Sequence, residues 1–159
     1  MTEEKRSFLR HDLVALFNAL RGDEAGKWGK MNSQQTIEHV SDFFKVSTQK
    51  IHFPLTTPAE HLPKYKEFLL SDKQFRENTK APMLPEQPMP IQYASMQAAL
   101  NELTKSIDDF FEFFKDDHSK TTLHPAFGEL NFDEWTQLHH KHVSHHLKQF
   151  GLIEHTIAG

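Results

Sequence analysis

Apolar side chains recur at intervals of three and four residues in four separate stretches, and this spacing constrains the fold more than any other feature. In the first stretch the residues with this spacing are Phe8, Leu9, Leu13, Leu16, Phe17 and Leu20. Such spacing gives an α-helix one apolar face. No segment alternates apolar and polar residues convincingly enough to indicate a strand, so the pattern predicts an all-α protein.

Four long helices are predicted. They cover about Thr2–Arg21, the stretch MNSQQTIEHVSDFFKV, about Ser95–Asp117 and about Phe132–Phe150. Asn32 or Ser33 can cap the second helix, and Asn131 or Asp133 the fourth, because their side chains accept hydrogen bonds from free N–H groups of the first turn. Gly22 and Gly151 are placed to end the first and fourth helices.

A long connection, about Ser47 to Ile91, separates the second and third helices. It holds seven of the eight prolines, four of them in APMLPEQPMP, which cannot be the interior of a helix. A short helix is predicted within TPAEHLPKYKEFLLSD. The layout therefore predicts a single domain over residues 1–159, a four-helix bundle with a long crossover between helices 2 and 3.

Composition excludes several classes of protein. The 159 residues carry 18 Lys and Arg against 22 Asp and Glu, a net charge of -4, which argues against nucleic-acid binding. The absence of cysteine excludes disulfides, thiolate ligands and a cysteine nucleophile. No apolar run is long enough to cross a membrane, and the charged first residues do not resemble a secretory signal. These features predict a cytoplasmic protein without a membrane partner.

Five of the twelve histidines lie between positions 139 and 146, on the predicted fourth helix. At about 100° per residue, His142 and His146 fall on the apolar face, one turn apart. This spacing lets one helix offer two imidazole nitrogens to one metal ion. His139 also points inward and stays undecided, whereas His140, His145 and His155 are predicted to be surface residues.

A third ligand would have to come from another helix, and His39 on the second helix is the best candidate. Gln35, one turn earlier, could orient its ring. Glu38 is interpreted as a solvated residue or as a weaker candidate for handling a proton. Trp135 is predicted to be a core residue, and His124 to act in the turn that precedes the fourth helix. A purely structural, neutral histidine pair stays an open alternative.

The stretches WGKMNSQQTIEH and HPAFGELNFDEWTQLHHKHVSHHLKQFG resemble the DinB/YfiT-like superfamily of metal-dependent hydrolases and thiol transferases, and within it an uncharacterised bacterial subfamily. The resemblance implies a four-helix bundle with a long crossover. It also implies a metal bound by His39, His142 and His146, with Gln149 completing the motif. His139 or His145 could replace one of these ligands.

The resemblance further implies a divalent metal, zinc or nickel, and often a homodimer. It implies a small-molecule substrate and, in some relatives, a low-molecular-weight thiol. We therefore expect a metal-dependent hydrolase or a thiol-dependent transferase, in which Gln35, Glu38 and Gln149 are weaker candidates for supporting roles. The alternatives are a non-catalytic protein that binds a metal or a small ligand, and a bundle without metal.

Overall fold

The computed structural model describes residues 2–77 and 87–153. Within these residues the protein is mostly helical, with one small sheet. The helices are α1 (Thr2–His11), α2 (Leu13–Phe17), α3 (Ser33–Ser47), α4 (Leu62–Leu70), α5 (Met96–Phe114) and α6 (Phe132–Gln149). The strands are β1 (Thr122–His124) and β2 (Gly128–Leu130). The predicted helical class is thus confirmed in its main feature.

The first predicted helix is shorter than expected and is divided. α1 ends at His11 and α2 ends at Phe17, not at Arg21. The apolar face continues across the division, since Leu9, Leu13 and Phe17 are all fully buried. After Phe17 the hydrogen bonds shorten to three-residue steps, as from Leu20 N to Phe17 O, and this tighter turn ends the helix.

The prediction that the chain has no strand was wrong. β1 and β2 form an antiparallel hairpin in which Thr122 pairs with Leu130 and His124 pairs with Gly128. Each strand has three residues, with its two end residues buried. This is too short to produce a recognisable alternation of apolar and polar residues.

The core lies between α3, α5 and α6, with α1 packed on α6. Phenylalanines fill its centre: the Phe110 ring lies 5.3 Å from Phe132 and 5.8 Å from Phe44, measured between ring centroids. Aromatic rings in these edge-on and tilted arrangements bury a large apolar area and pack densely. The three long helices therefore form a densely packed frame, in which the middle of α3 lies against α6.

The long connection is attached to the frame at several points. Its predicted short helix is confirmed as α4, preceded by a single 3-10 turn at Ala59–His61. Before that turn, Thr56 N and Thr57 Oγ1 donate hydrogen bonds to the carbonyls of Pro125 and Ala126 in the β1–β2 turn. Part of the predicted proline-rich stretch, residues 81–86, lies outside the described residues.

Among the described helices, none combines the length and apolarity that a membrane crossing requires.

Candidate metal centre

Two capped helices position the three predicted ligands. α3 begins at a capping box in which Asn32 and Gln35 exchange side-chain and backbone hydrogen bonds, and His39 lies in the next turn. α6 begins at a second capping box, formed by Asn131 and Glu134. Capping satisfies backbone groups of the first turn, so both helices start at a defined residue. The predicted caps at Asn32 and Asn131 are confirmed.

The structure brings His39, His142 and His146 together, and these three residues are called the histidine triad below. The Nε2 atom of His142 lies 3.0 Å from Nε2 of His39 and 3.1 Å from Nε2 of His146. One ring nitrogen from each residue lies within 4.8 Å of the other two. Three imidazole nitrogens from two helices therefore converge on one point, with His142 in the middle.

The spacing of these nitrogens fits a first-row divalent metal. Bonds of about 2.0–2.1 Å hold two ligand nitrogens about 2.9 Å apart at a right angle and about 3.3 Å apart at a tetrahedral angle. The two measured separations, 3.0 and 3.1 Å, lie between these values. Neutral imidazoles suit zinc, nickel, copper and iron. The residues present thus fit the implied metal.

Gln149 fixes the tautomer of His146. Its Nε2 donates to the carbonyl oxygen of Trp28 at 2.7 Å, which turns Oε1 toward Nδ1 of His146, also at 2.7 Å. An amide oxygen only accepts, so the imidazole proton is on Nδ1 and the Nε2 lone pair faces the other two histidines. Orienting a ligand ring through its second nitrogen is a common feature of histidine metal sites.

The Gly26 loop, the segment from Gly26 to Gly29 that also supplies the Trp28 carbonyl, packs closely against Gln149. A Cβ atom on Gly26 would lie 2.7 Å from Cγ of Gln149, and one on Gly29 would lie 2.7 Å from its Nε2. Gly29 also has a φ of +80°, which side chains rarely adopt. Lys27 N donates to the Gln149 carbonyl as well. The loop therefore fits closely around the residue that orients His146.

Burial keeps the three imidazoles neutral. It lowers the pKa of His39 to about 4, with a smaller contribution from His145. It lowers the pKa of His142 and His146 as well, and mutual repulsion with neighbouring histidines adds to the effect. His146 is buried, while His39 and His142 keep some accessible surface. Near neutral pH all three can offer a lone pair, as metal binding requires.

The accessible parts of His39 and His142 face a cavity of about 570 Å³. All three histidines line it, and much of its wall is aromatic or aliphatic. The apolar lining includes Ile51, Phe53, Tyr65, Phe127 and Leu138. The volume and the apolar wall are typical of a site for a small molecule.

The other clustered histidines are placed differently from one another. His139, undecided from the sequence, is buried against the Phe44 ring at 3.9 Å and is paired with Ser47 Oγ at 3.1 Å. The prediction that His145 lies on the surface was wrong, because it is 8% exposed beneath Trp28 and Phe75. His140 is half-buried against α1, and His155 lies outside the described residues.

Two predicted supporting residues act elsewhere in the structure. Gln35 completes the α3 cap and donates to the Met89 carbonyl, so its amide is not directed at His39. Glu38 was interpreted as solvated, but it is 4% exposed and accepts backbone hydrogen bonds from Gln92 and Tyr93. It thereby attaches the end of the crossover to α3. Gln149, by contrast, directly contacts a triad member.

Asp42 was missed from the sequence. It lies three residues after His39, on the same side of α3, and lines the cavity. Burial raises the pKa of its carboxyl group, partly offset by Lys45. The spacing of three from His39 was the available signal, because residues three apart on a helix are neighbours. The prediction that Trp135 is a core residue is confirmed, since it is fully buried.

Comparison with known proteins identifies a family without assigning an activity. Searches of curated proteins and of solved structures gave no significant match. The family model described as "Protein of unknown function (DUF1569)" matches residues 4–151. This range is most of the chain and includes all three histidines of the triad. The chain therefore belongs to the DUF1569 family.

Proposed function

We propose that the protein is an enzyme that binds one divalent metal ion through His39, His142 and His146 and acts on a small-molecule substrate. The observation that carries the proposal is the convergence of three neutral Nε2 atoms at the wall of a 570 Å³ cavity. We further propose that α1–α2, α3, α5 and α6 form a four-helix bundle of the DinB/YfiT-like type, with α4 in the crossover.

Hydrogen bonding alone satisfies these nitrogens poorly. The Nε2 atom of His146 carries a lone pair, because its proton is on Nδ1 beside Gln149. One hydrogen on Nε2 of His142 can point at His146 or at His39, or between them with poor geometry at both. A cation would instead bind all three lone pairs, which favours the metal site over the neutral hydrogen-bonded core.

The reaction class follows from the donor set and the cavity. A divalent ion held by the three neutral histidines would supply Lewis acidity, which would suit hydrolysis by an activated water or group transfer by an activated thiol. The apolar wall binds the body of the substrate and excludes water from it. Asp42 is the carboxyl group that we propose for proton transfer, because it lines the same cavity in a partly buried setting.

Hydrolysis and thiol transfer use the same three histidines, so both belong to the proposal. Zinc and nickel are the metals that we propose, and a low-molecular-weight thiol is the co-substrate in the second case. The homodimer and the cytoplasmic location stay predictions. A non-catalytic protein that binds a metal or a small ligand would contain the same site and would differ only in lacking turnover.

The first experiment is metal analysis of untagged protein expressed without added metal. We expect about one equivalent in the wild type and none in the His142→Ala/His146→Ala double variant. His140→Ala is the matched control, since it removes an imidazole of α6 that is not one of the three proposed ligands and should keep the metal. Wild-type protein that neither retains a divalent metal nor takes one up would refute the proposal.

Turnover separates the enzyme from the binding protein. Metal-loaded wild type would be assayed for ester and amide hydrolysis and for thiol addition to apolar electrophiles, with the double variant as the blank. Activity that requires both the metal and the histidines supports the enzyme. A protein that holds the metal and binds small ligands in the cavity but turns over none of these substrates would indicate the binding role.

A further inference from the structure

His124 is a second histidine feature of the cavity, separate from the triad. It is the last residue of β1, and the chain turns immediately after it. Only 6% of it is exposed, and it lines the same cavity. Its ring centroid lies 5.9 Å from that of Phe43, which in turn lies 5.3 Å from that of His142. Phe43 therefore contacts both His124 and the triad.

The turn fixes the tautomer of His124. Its Nδ1 accepts hydrogen bonds from the backbone N–H groups of Ala126 at 2.9 Å and Phe127 at 3.2 Å. Two donors converging on one ring atom require a lone pair there, so the proton of the neutral imidazole must be on Nε2. The turn role that the sequence predicted for His124 accounts for Nδ1 but not for Nε2.

The other ring nitrogen of His124, Nε2, carries a hydrogen that is not donated to any described residue. Within residues 2–77 and 87–153, Nε2–H of His124 has no hydrogen-bond partner. Burial lowers the pKa of His124 to about 3, so the ring stays neutral over the physiological range. A donor in so buried a residue is costly unless water or a ligand accepts its hydrogen.

We propose that His124 is a substrate-binding residue, whose Nε2–H donates a hydrogen bond to the carbonyl oxygen of an uncharged and largely apolar substrate. The aromatic wall formed by Phe43, Phe53 and Phe127 accepts the apolar body. A carbonyl oxygen matches a neutral donor, whereas a carboxylate would lose its hydration without gaining a cation at His124. This inference names the substrate class of the proposed function and rests on it for the reaction, although the binding itself needs no metal.

The test compares two probes that differ in the acceptor oxygen. Acetophenone has a carbonyl oxygen on an aromatic body, and ethylbenzene has the same body without oxygen. Dissociation constants would be measured by NMR titration on the purified protein and again after removal of metal by a chelator. We expect acetophenone to bind the wild type and to shift the Nε2 nitrogen and proton resonances of His124, with or without metal.

The matched variant is His124→Asn, because the asparagine side-chain oxygen can accept the Ala126 N–H and keep the turn while the distant donor is lost. We expect this variant to weaken acetophenone binding by about three- to tenfold, as for the loss of one neutral hydrogen bond, and to leave ethylbenzene binding unchanged. Unchanged ethylbenzene binding also shows that the cavity remains folded.

Three results would overturn the inference. Acetophenone could fail to bind the wild type, the two probes could lose affinity equally in His124→Asn, or the Nε2 resonances could stay unmoved on binding. None of these depends on the metal, since the titrations are repeated without it. Failure of the proposed metal site would instead appear in the metal analysis and would leave the difference between the two probes intact.

Discussion

Two groups of histidines on α6 lie at or near the core, yet their ring nitrogens have different partners. His139 lies between the rings of Phe44 and Trp135, and its Nε2 is paired with the Ser47 hydroxyl. His142 and His146 lie one and two turns further along and point their Nε2 atoms at each other and at His39. Burial lowers the pKa of all the α6 residues in this comparison.

Burial alone therefore does not distinguish a structural histidine from a proposed metal ligand. What distinguishes them is whether the ring nitrogens already have suitable partners within the protein. The Ser47 hydroxyl donates its hydrogen to the Phe44 carbonyl and so accepts one from Nε2 of His139, which therefore already has a partner within the protein. Three converging imidazole nitrogens are better satisfied by a cation. Stability and metal binding should therefore respond to different residues of the same helix.

The largest expected effect is stabilisation of the wild type by metal. Zinc at a thousand times its dissociation constant should raise the free energy of unfolding by about 4 kcal/mol, because the native state alone presents the assembled site. His142→Ala should lose this gain. Thermal or denaturant unfolding with and without zinc measures it. Equal stabilisation of both proteins would mean that zinc binds elsewhere.

The next effect tests the core member of the comparison. His139→Ala removes a ring packed between two aromatic residues and leaves a cavity, so the free energy of unfolding should fall by about 2–4 kcal/mol. The metal content should remain at that of the wild type. Chemical denaturation and metal analysis give the two values. If His139→Ala lost the metal while retaining its stability, the assignment of roles on α6 would be reversed.

A smaller effect is expected at the residue that orients His146. Gln149→Met keeps a similar volume but removes the acceptor of the Nδ1 hydrogen, so metal affinity should weaken by about 10- to 100-fold. Competition with a chromogenic chelator measures the dissociation constant. Gln35→Met is the control: it removes a cap of α3 and should lower stability but not metal affinity. The same affinity in both variants would contradict the orienting role of Gln149.

The smallest effect concerns acid. Burial lowers the pKa of His139 below that of the unfolded chain, so on acidification from pH 7 the unfolded state takes up its proton first and stability falls. The contribution of His139 to stability is therefore fully present well above pH 6.5 and falls as the pH drops below about 6.5. In metal-free His139→Phe the slope of stability against pH between 6.5 and 5.5 should be shallower by about 1 kcal/mol per pH unit. Urea denaturation at several pH values measures it; parallel slopes would show that His139 is not buried as a neutral ring.

The main helices and the inward direction of His142 and His146 could be predicted because both depend on periodicity within one segment. His145 could not, since it lies off the apolar face of α6 and is covered by Trp28 and Phe75 from other parts of the chain. Glu38 is similar: the groups that bury it come from residues 92 and 93, at the end of the crossover. A helical wheel contains no information about what packs on a polar side.

The close fit of the Gly26 loop around Gln149 has a consequence for how mutations would be interpreted. Gly26→Ala would push on a side chain that touches His146, although residue 26 itself contributes no ligand. A saturation scan scored by metal affinity should therefore mark Gly26 about as strongly as Gln149, and less strongly than the three histidines. The effect would arise from displacement of the Gln149 amide. A second substitution that shortens residue 149 would relieve the steric clash but would not restore the orientation of His146.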